Sequence, residues 1–449
     1  MPVSLRFAGL LLLLSSLSAQ ALDLGDAYAL ALRNDPTWQG SIAEREAGLE
    51  NRAIGRAGLL PKLSYRYNRA RNDSEVTQRS QFGDVTTQRD YRSYSSTLTL
   101  EQPLFDYAAW SDYRRGVAQA ALADERYRGR GQELMVRLFG AYSEALFANE
   151  QIALAQAQRR TYAEQLQLNE RRLKGGEGTR TDVLETRARH ELAQAQEIEA
   201  GDSLDAALRS LQAIIGEAVT VEDLAPMTRD FHIQPLAPAR FEPWRDLAVA
   251  HNAELASQRH GLEVAEQNIE RQRAGHLPSL SAYASKGISS SESSYNQRYD
   301  TDSIGVQLSV PLFAGGGVSA SVRQARAQRD AAGFELDAQL RDTVNQLRRQ
   351  FNLCASGTAK IRAYDLAVKA ATALVQATRK SVLGGERVNL DVLDAEQQLF
   401  GARRDLAQAR HEYLRAWLQL RYLAGVLEVG DLQVLNGYFA AHGQGHSAG

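Results

Sequence analysis

No proline occurs between Leu104 and Ala225, and none follows Pro311. A proline inside a helix costs about 3 kcal/mol, so these two gaps are where helices can run far beyond ordinary length. Within each gap a long helical run is broken by paired glycines, Gly175-Gly176 and Gly384-Gly385, and each break leads into a new helix that opens on Asp-Val-Leu. The earlier copy, Asn169 to Leu192, reads NERRLKGGEGTRTDVLETRARHEL; the later, Arg379 to Leu406, reads RKSVLGGERVNLDVLDAEQQLFGARRDL. A duplicated turn between helical runs predicts an internal repeat of a helical hairpin.

The remaining prolines complete the repeat. Leu60-Pro61 and Leu277-Pro278 open matching short segments, which Pro103-Leu104-Phe105 and Pro311-Leu312-Phe313 close. The expected organisation is a first repeat over 22–216 with a strand pair at 62–72 and 91–103, a linker over 217–241, a second repeat over 242–425 with a strand pair at 279–289 and 303–312, and a tail over 426–449. The tip turns fall near 175 and 384. The strands are read from alternation. Ile304, Val306, Leu308 and Val310 oppose Gly305, Gln307 and Ser309; Leu98 and Leu100 oppose Thr97, Thr99 and Glu101; Leu63, Tyr65 and Tyr67 oppose Ser64, Arg66 and Asn68. Period-two alternation marks a strand with one apolar face, and about ten residues suffice for a tilted strand to cross a bilayer. Polar turns are expected over Asn72–Asp90 and Ser289–Asp302. A soluble sheet with one buried face is the plainer alternative, but no spare amphipathic helix offers itself to cover that face.

Arg6, the apolar run Leu10–Leu14 and the Ala19-Gln20-Ala21 site read as a secretory signal over 1–21. Beyond it no run of about 18 apolar residues could form a membrane helix, so entry into a membrane would have to use strands. A net charge of −2 gives no hint of a nucleic-acid partner, and one cysteine, Cys354, leaves neither a disulfide framework nor a cysteine metal site. The eight histidines are scattered, with His442 and His446 in a Gly/Ser-rich tail. No Ser/His/Asp set, metal spacing or phosphate-binding loop appears, so no catalysis, metal or cofactor is expected.

Four strands cannot close a membrane barrel, whose range starts at about eight, and an open edge in lipid leaves backbone groups unpaired. Other copies of the chain must complete it: two would give eight strands with a filled interior, three would give twelve and a lumen. After the second break, Val392, Ala395, Leu399, Ala402, Leu406, Ala409, Tyr413, Ala416, Leu420 and Leu423 recur at spacings of three and four, the seam of a coiled coil. In the first copy Val183, Ala193, Ala200, Leu204, Ala207, Leu211 and Ile214 hold the same register, interrupted by Thr186, His190 and Glu197. Asp391 and Asp394, three apart, project from similar faces of one helix. Carboxylates in a first turn are ordinary helix-dipole partners; on a three-fold axis the same pair would stack as acidic rings. Asp182 is the matching residue of the first copy, and Lys174, Arg180 and Arg387 are the nearby cations.

With the duplicated helix–hairpin–helix plan, the Pro-Leu-Phe exits and the Asp391-Val-Leu-Asp394 motif followed by heptads, the chain resembles the TolC family of outer-membrane channel proteins from residue 24 to about 432. The resemblance implies a mainly α fold with a small membrane β part: a homotrimer whose four strands per chain make a twelve-stranded barrel, continued by a periplasmic α-barrel of coiled helical hairpins. It implies a periplasmic constriction with acidic rings at Asp391 and Asp394, and a salt link between Arg387 and Asp182 with Thr181. Val382 stands where relatives often carry a hydrogen-bonding tyrosine, so the tip would be held more loosely, or Glu386 would share pairing with Arg180. The pattern is most similar to type I secretion components such as those exporting alkaline protease. The implied partners are a membrane-fusion adaptor, an inner-membrane ABC transporter, outer-membrane lipid and secreted protein cargo. A multidrug-efflux outer-membrane factor is the alternative within the family, disfavoured by the missing lipid-anchor cysteine. A periplasmic adaptor or coiled-coil structural protein is the alternative outside it, against which stand two hairpin copies and the strand pairs.

Overall fold

A computed structural model describes residues 22–228, 231–293 and 297–439. The expected signal over 1–21 lies outside these residues, as do His442 and His446. In chain order the elements are α1 (Leu24–Asn34), α2 (Pro36–Ala57), β1 (Lys62–Ser80), β2 (Gly83–Phe105), α3 (Tyr107–Lys174), α4 (Arg180–Ile215), α5 (Phe241–His251), α6 (Ala253–Arg273), β3 (Ser279–Ser291), β4 (Gln297–Ser309), α7 (Gly317–Leu383), α8 (Asn389–Leu423) and α9 (Val429–Asn436). The two longest helices, α3 with 68 residues and α7 with 67, fill the proline gaps. None of the helices is long and apolar enough to cross a membrane. The chain forms two compact units: residues 41–129 with 253–342, and residues 22–40 with 130–252 and 343–439.

The first of these units carries the sheet, antiparallel in the order β1-β2-β3-β4. In an antiparallel ladder directly paired residues share a face. Leu63, Leu100, Ala284 and Ile304 therefore form one row across the four strands, with Ala282 and Val306 in the row beside it. Leu63, Leu98, Leu100, Ile304, Val306 and Leu308 are all exposed. Both hairpins are longer than alternation indicates. β1 and β2 remain paired as far as Ser80 and Gly83, so most of Asn72–Asp90 is strand rather than turn. Likewise β3 extends to Ser291 and β4 begins at Gln297. Polar side chains occupy both faces there, which erases the alternation. The pairing is carried instead by cross-strand partners: Arg71 with Asp90, Thr77 with Thr86 (3.0 Å) and Arg79 with Asp84 (3.3 Å). Gly83, at φ 114°, closes the turn in a region that disfavours side chains. β4 stops at Ser309, short of the expected 312, because Pro311 has no N–H to donate. Beneath the sheet, α2 and α3 are in near backbone contact. A Cβ on Gly116 would lie 2.2 Å from the Asn51 carbonyl oxygen, and one on Gly55 2.7 Å from that of Asp112.

The other unit is helical. Leu134, Leu138, Phe139 and Tyr142 of α3 are fully or almost fully buried, with Phe439 packed edge-on to Tyr142 at 5.6 Å between centroids. The Tyr142 hydroxyl donates to the Leu22 carbonyl (3.1 Å) and accepts from the Ala225 amide (3.2 Å). The stretch read as a tail is therefore built into the core as far as residue 439. Leu432 and Leu435 of α9 are buried, Asp431 is held by Arg421 at 2.7 Å, and Asn436 bonds Asp23 at the start of α1. Eight helical residues are too few to print a readable period.

Candidate functional site: the hairpin tips

Each Gly-Gly pair ends a long helix in the same way. Gly175 and Gly384 donate back to Arg171 and Lys380, and Glu177 and Glu386 reach the Arg172 and Ser381 carbonyls (both 2.9 Å). The second glycine takes the left-handed conformation, Gly176 at φ 79° and Gly385 at φ 78°. This is a Schellman ending, which requires a residue without a Cβ penalty at that point.

The helices that follow start with their own acidic caps. Asp182 completes a capping box: its amide donates to Thr179 Oγ1 and its carboxylate accepts the Thr179 amide (both 3.1 Å). Asp391 accepts the Val388 amide at 3.3 Å, but Val388 has no side-chain acceptor to return, so α8 has half a box. Asp394, one turn on, is exposed and pairs with Arg189 of α4, Nη2 to Oδ1 2.7 Å. Arg387, Thr181, Arg180 and Glu386 are exposed, and Val382 is half-buried. Within the chain, among the described residues, Arg387 makes no ion pair with Asp182. The tip carboxylates thus already have local partners, a backbone amide for Asp182 and Asp391 and a guanidinium for Asp394.

Reading for apolar seams missed the polar side chains that join these hairpins. Thr186, read as an interruption of a seam, is fully buried. Its hydroxyl donates to the Asp182 carbonyl (2.7 Å) and accepts from Asn169 Nδ2 (2.8 Å) and Asn389 Nδ2 (3.2 Å). Gln165 Nε2 donates to Asn389 Oδ1 at 2.7 Å and more weakly to Asn169 Oδ1 at 3.4 Å. The four side chains close a ring across α3, α4 and α8. One turn further along, Leu393 packs with Tyr162 and Ala193. The sequence does not pair them, since Thr186 lies ten residues past Gly176 and Asn389 only four past Gly385, and a polar residue in a seam gives no sign of its partner.

α7 and α8 pair through Ala371, Val375, Ala395 and Leu399 and through Arg379–Glu396 (2.5 Å), in which the Glu396 side chain is almost wholly enclosed. Burial pushes the Glu396 carboxyl above the usual carboxylate range, against the lowering pull of Arg379. A carboxyl with a raised folded-state pKa contributes its stability in full below the unfolded pKa and loses it as pH rises through the folded value. Glu396→Gln should therefore gain on the parent in thermal midpoint at neutral pH, with the gap closing toward about pH 4. Circular-dichroism melts at both pH values check this; a gap that widens on acidification would contradict it.

Long helical hairpins joined to a four-stranded sheet with an exposed apolar face define the class of outer-membrane channels. The outer membrane efflux protein family matches residues 27–217 and 244–426, and the chain belongs to that family. It is 54% identical over 435 residues to the alkaline protease secretion protein AprF of Pseudomonas aeruginosa, covering 96% of this chain and 90% of that protein. It is 51% identical over 429 residues to the proteases secretion protein PrtF of Dickeya chrysanthemi, covering 95% and 93%. Among solved structures, the outer membrane protein VceC of Vibrio cholerae superposes with a TM-score of 0.76 at 19% identity, covering 90% of this chain and 96% of that one, a likeness of fold. The chain is an outer-membrane channel protein that extends into the periplasm.

Proposed function

We propose that this chain is the exit duct of a type I secretion system, a homotrimer that takes protein cargo such as a protease from an adaptor and an inner-membrane ABC transporter to the cell surface. The observation that carries this reading is the likeness to AprF and PrtF over nearly the whole chain, both named for protease secretion. The sheet supports the oligomer: β1 and β4 are edge strands, and in lipid such edges need partner strands. Three copies would supply twelve strands, enough for a lumen. The duct would conduct passively, with energy supplied by the transporter.

In the same reading the start of α8 forms the periplasmic constriction, Asp391 and Asp394 contribute acidic rings, and Arg387 links to Asp182 and Thr181 of a neighbouring copy. Arg387 is exposed and makes no ion pair among the described residues, which is compatible with a partner outside the chain. Arg189 would compensate the charge of the Asp394 ring, leaving Asp391 as the stronger cation attractor.

Deletion of the gene followed by complementation tests the reading. Extracellular protease should vanish and return with the parent chain while drug susceptibility stays level. Loss of drug resistance with intact secretion would favour an efflux duct. Heat-labile trimer should be found in the outer-membrane fraction, and single-channel recordings should show cation preference that Asp391→Asn weakens.

A further inference from the structure

The apolar face of the sheet changes character along the β1–β2 hairpin. From the Leu63/Leu100 row toward the turn, the paired residues on this face are Tyr65/Leu98, Tyr67/Ser96, Arg69/Tyr94 and Arg71/Arg92. Apolar side chains give way to three tyrosines and then to three arginines. Tyr65, Tyr67, Arg69, Arg71 and Arg92 are exposed. Arg71 and Arg92 stand directly opposite each other, an arrangement that is destabilising between like charges. The next pair along is Asp73/Asp90; Asp90 is taken by Arg71, and Asp73 accepts from Gln88 at 3.3 Å. Among the described residues, Arg69 and Arg92 make no salt bridge, although Asp90 also lies within electrostatic reach of Arg92. On the neighbouring hairpin, Lys286 is answered by Asp302 at 3.1 Å and by Asp300 at 3.9 Å, so the cluster of three neighbouring guanidiniums belongs to β1–β2.

Height fixes what this charge meets. On β2, the exposed apolar Leu104 near the helix end of the strand and Arg92 nearer the turn lie twelve residues apart. Twelve residues at about 3.4 Å, tilted by roughly 40°, span roughly 30 Å along the membrane normal. That is about the thickness of the hydrocarbon core. The strands join the helices at the Leu104 end and turn back at the other, and the helices are periplasmic, so the arginines stand at the headgroup level of the outer leaflet. Tyrosines just below them match the aromatic girdle of a barrel. Guanidinium groups at that level bind phosphate oxygens through paired, charge-assisted hydrogen bonds.

We propose that Arg69, Arg92 and Arg71 form a binding site for the phosphate groups of an outer-leaflet phosphoglycolipid. The site is independent of cargo and of the tip. The probe is bisphosphorylated lipid A, titrated into the detergent-solubilised full-length oligomer and read by native mass spectrometry, with dephosphorylated lipid A and inorganic phosphate as comparison arms. Each basic residue at an anionic lipid surface contributes roughly a factor of five, so Arg69→Gln, Arg71→Gln and Arg92→Gln together should weaken binding about 100-fold. Arg66→Gln with Arg89→Gln, on the opposite face, should leave it unchanged. Because all three side chains project from exposed strand positions, the triple variant should keep the parent's conductance, which shows it folded and tests the channel reading separately. If the triple variant misassembles, the single variants Arg69→Gln and Arg92→Gln carry the comparison. Equal binding of dephosphorylated lipid, retention of lipid by the variants, or competition by inorganic phosphate at equal concentration would each overturn the proposal.

Discussion

Val306→Arg should sharply reduce the assembled protein in the outer membrane. Val306 pairs with Ala282 in the middle of the exposed apolar rows, with Ile304 on one side and Leu308 on the other. Near the midplane of a bilayer an arginine on the lipid face of a barrel costs about 2–4 kcal/mol, a large share of the roughly 5–15 kcal/mol that holds a domain folded. The neighbouring substitution Gln307→Arg is the comparison. Gln307 pairs with Ser281 on the opposite face, where a charge would meet water in a lumen. Heat-labile oligomer recovered from outer-membrane fractions should fall for Val306→Arg and stay near the parent for Gln307→Arg. Equal yields would mean that the apolar face does not meet lipid.

The contrast between those two neighbours is the part of the fold that was legible without coordinates. Wherever one face of a strand is apolar and the other polar, alternation reports the strand, and proline reports where it can begin and end. The same rule explains what was hidden. Past Arg71 and Arg92 both faces are polar, so a hairpin that continues to Gly83 looked like a turn. Long helices were visible as proline gaps, and α9 was not visible because eight residues hold little more than two turns. At the tips the acidic motif was legible but its partners were not. Arg189 lies 205 residues from Asp394, and nothing in either local sequence points to the other. Thr186 was misjudged for a related reason, since hydropathy counts a buried threonine as a defect even when its hydroxyl makes one donated and two accepted hydrogen bonds.

That threonine sets the largest effect expected at the tip. Asn389 is buried, accepts from Gln165 and donates to Thr186. Asn389→Leu removes both bonds, leaving the half-buried Gln165 amide with only its weak bond to Asn169 and one side of the buried Thr186 hydroxyl without a partner. A buried polar group deprived of its partner costs about 1–3 kcal/mol, whereas replacing both members of a pair by apolar groups can be nearly neutral. Asn389→Leu alone should therefore release the start of α8 from the α3–α4 hairpin, and adding Thr186→Val should recover part of the loss. Asn169 would then be the residue left short, so recovery stays incomplete. Hydrogen exchange over 386–393 reads the local opening directly. It should quicken about 10- to 100-fold in the single variant, the equivalent of about 1–3 kcal/mol, and less in the double variant. If the two changes simply add, the side chains act on different elements and the ring does not couple α8 to its neighbours. If they couple as expected, polar contacts rather than the alanine-rich seams hold this end of α8 in register, and their loss should also raise conductance in single-channel recordings.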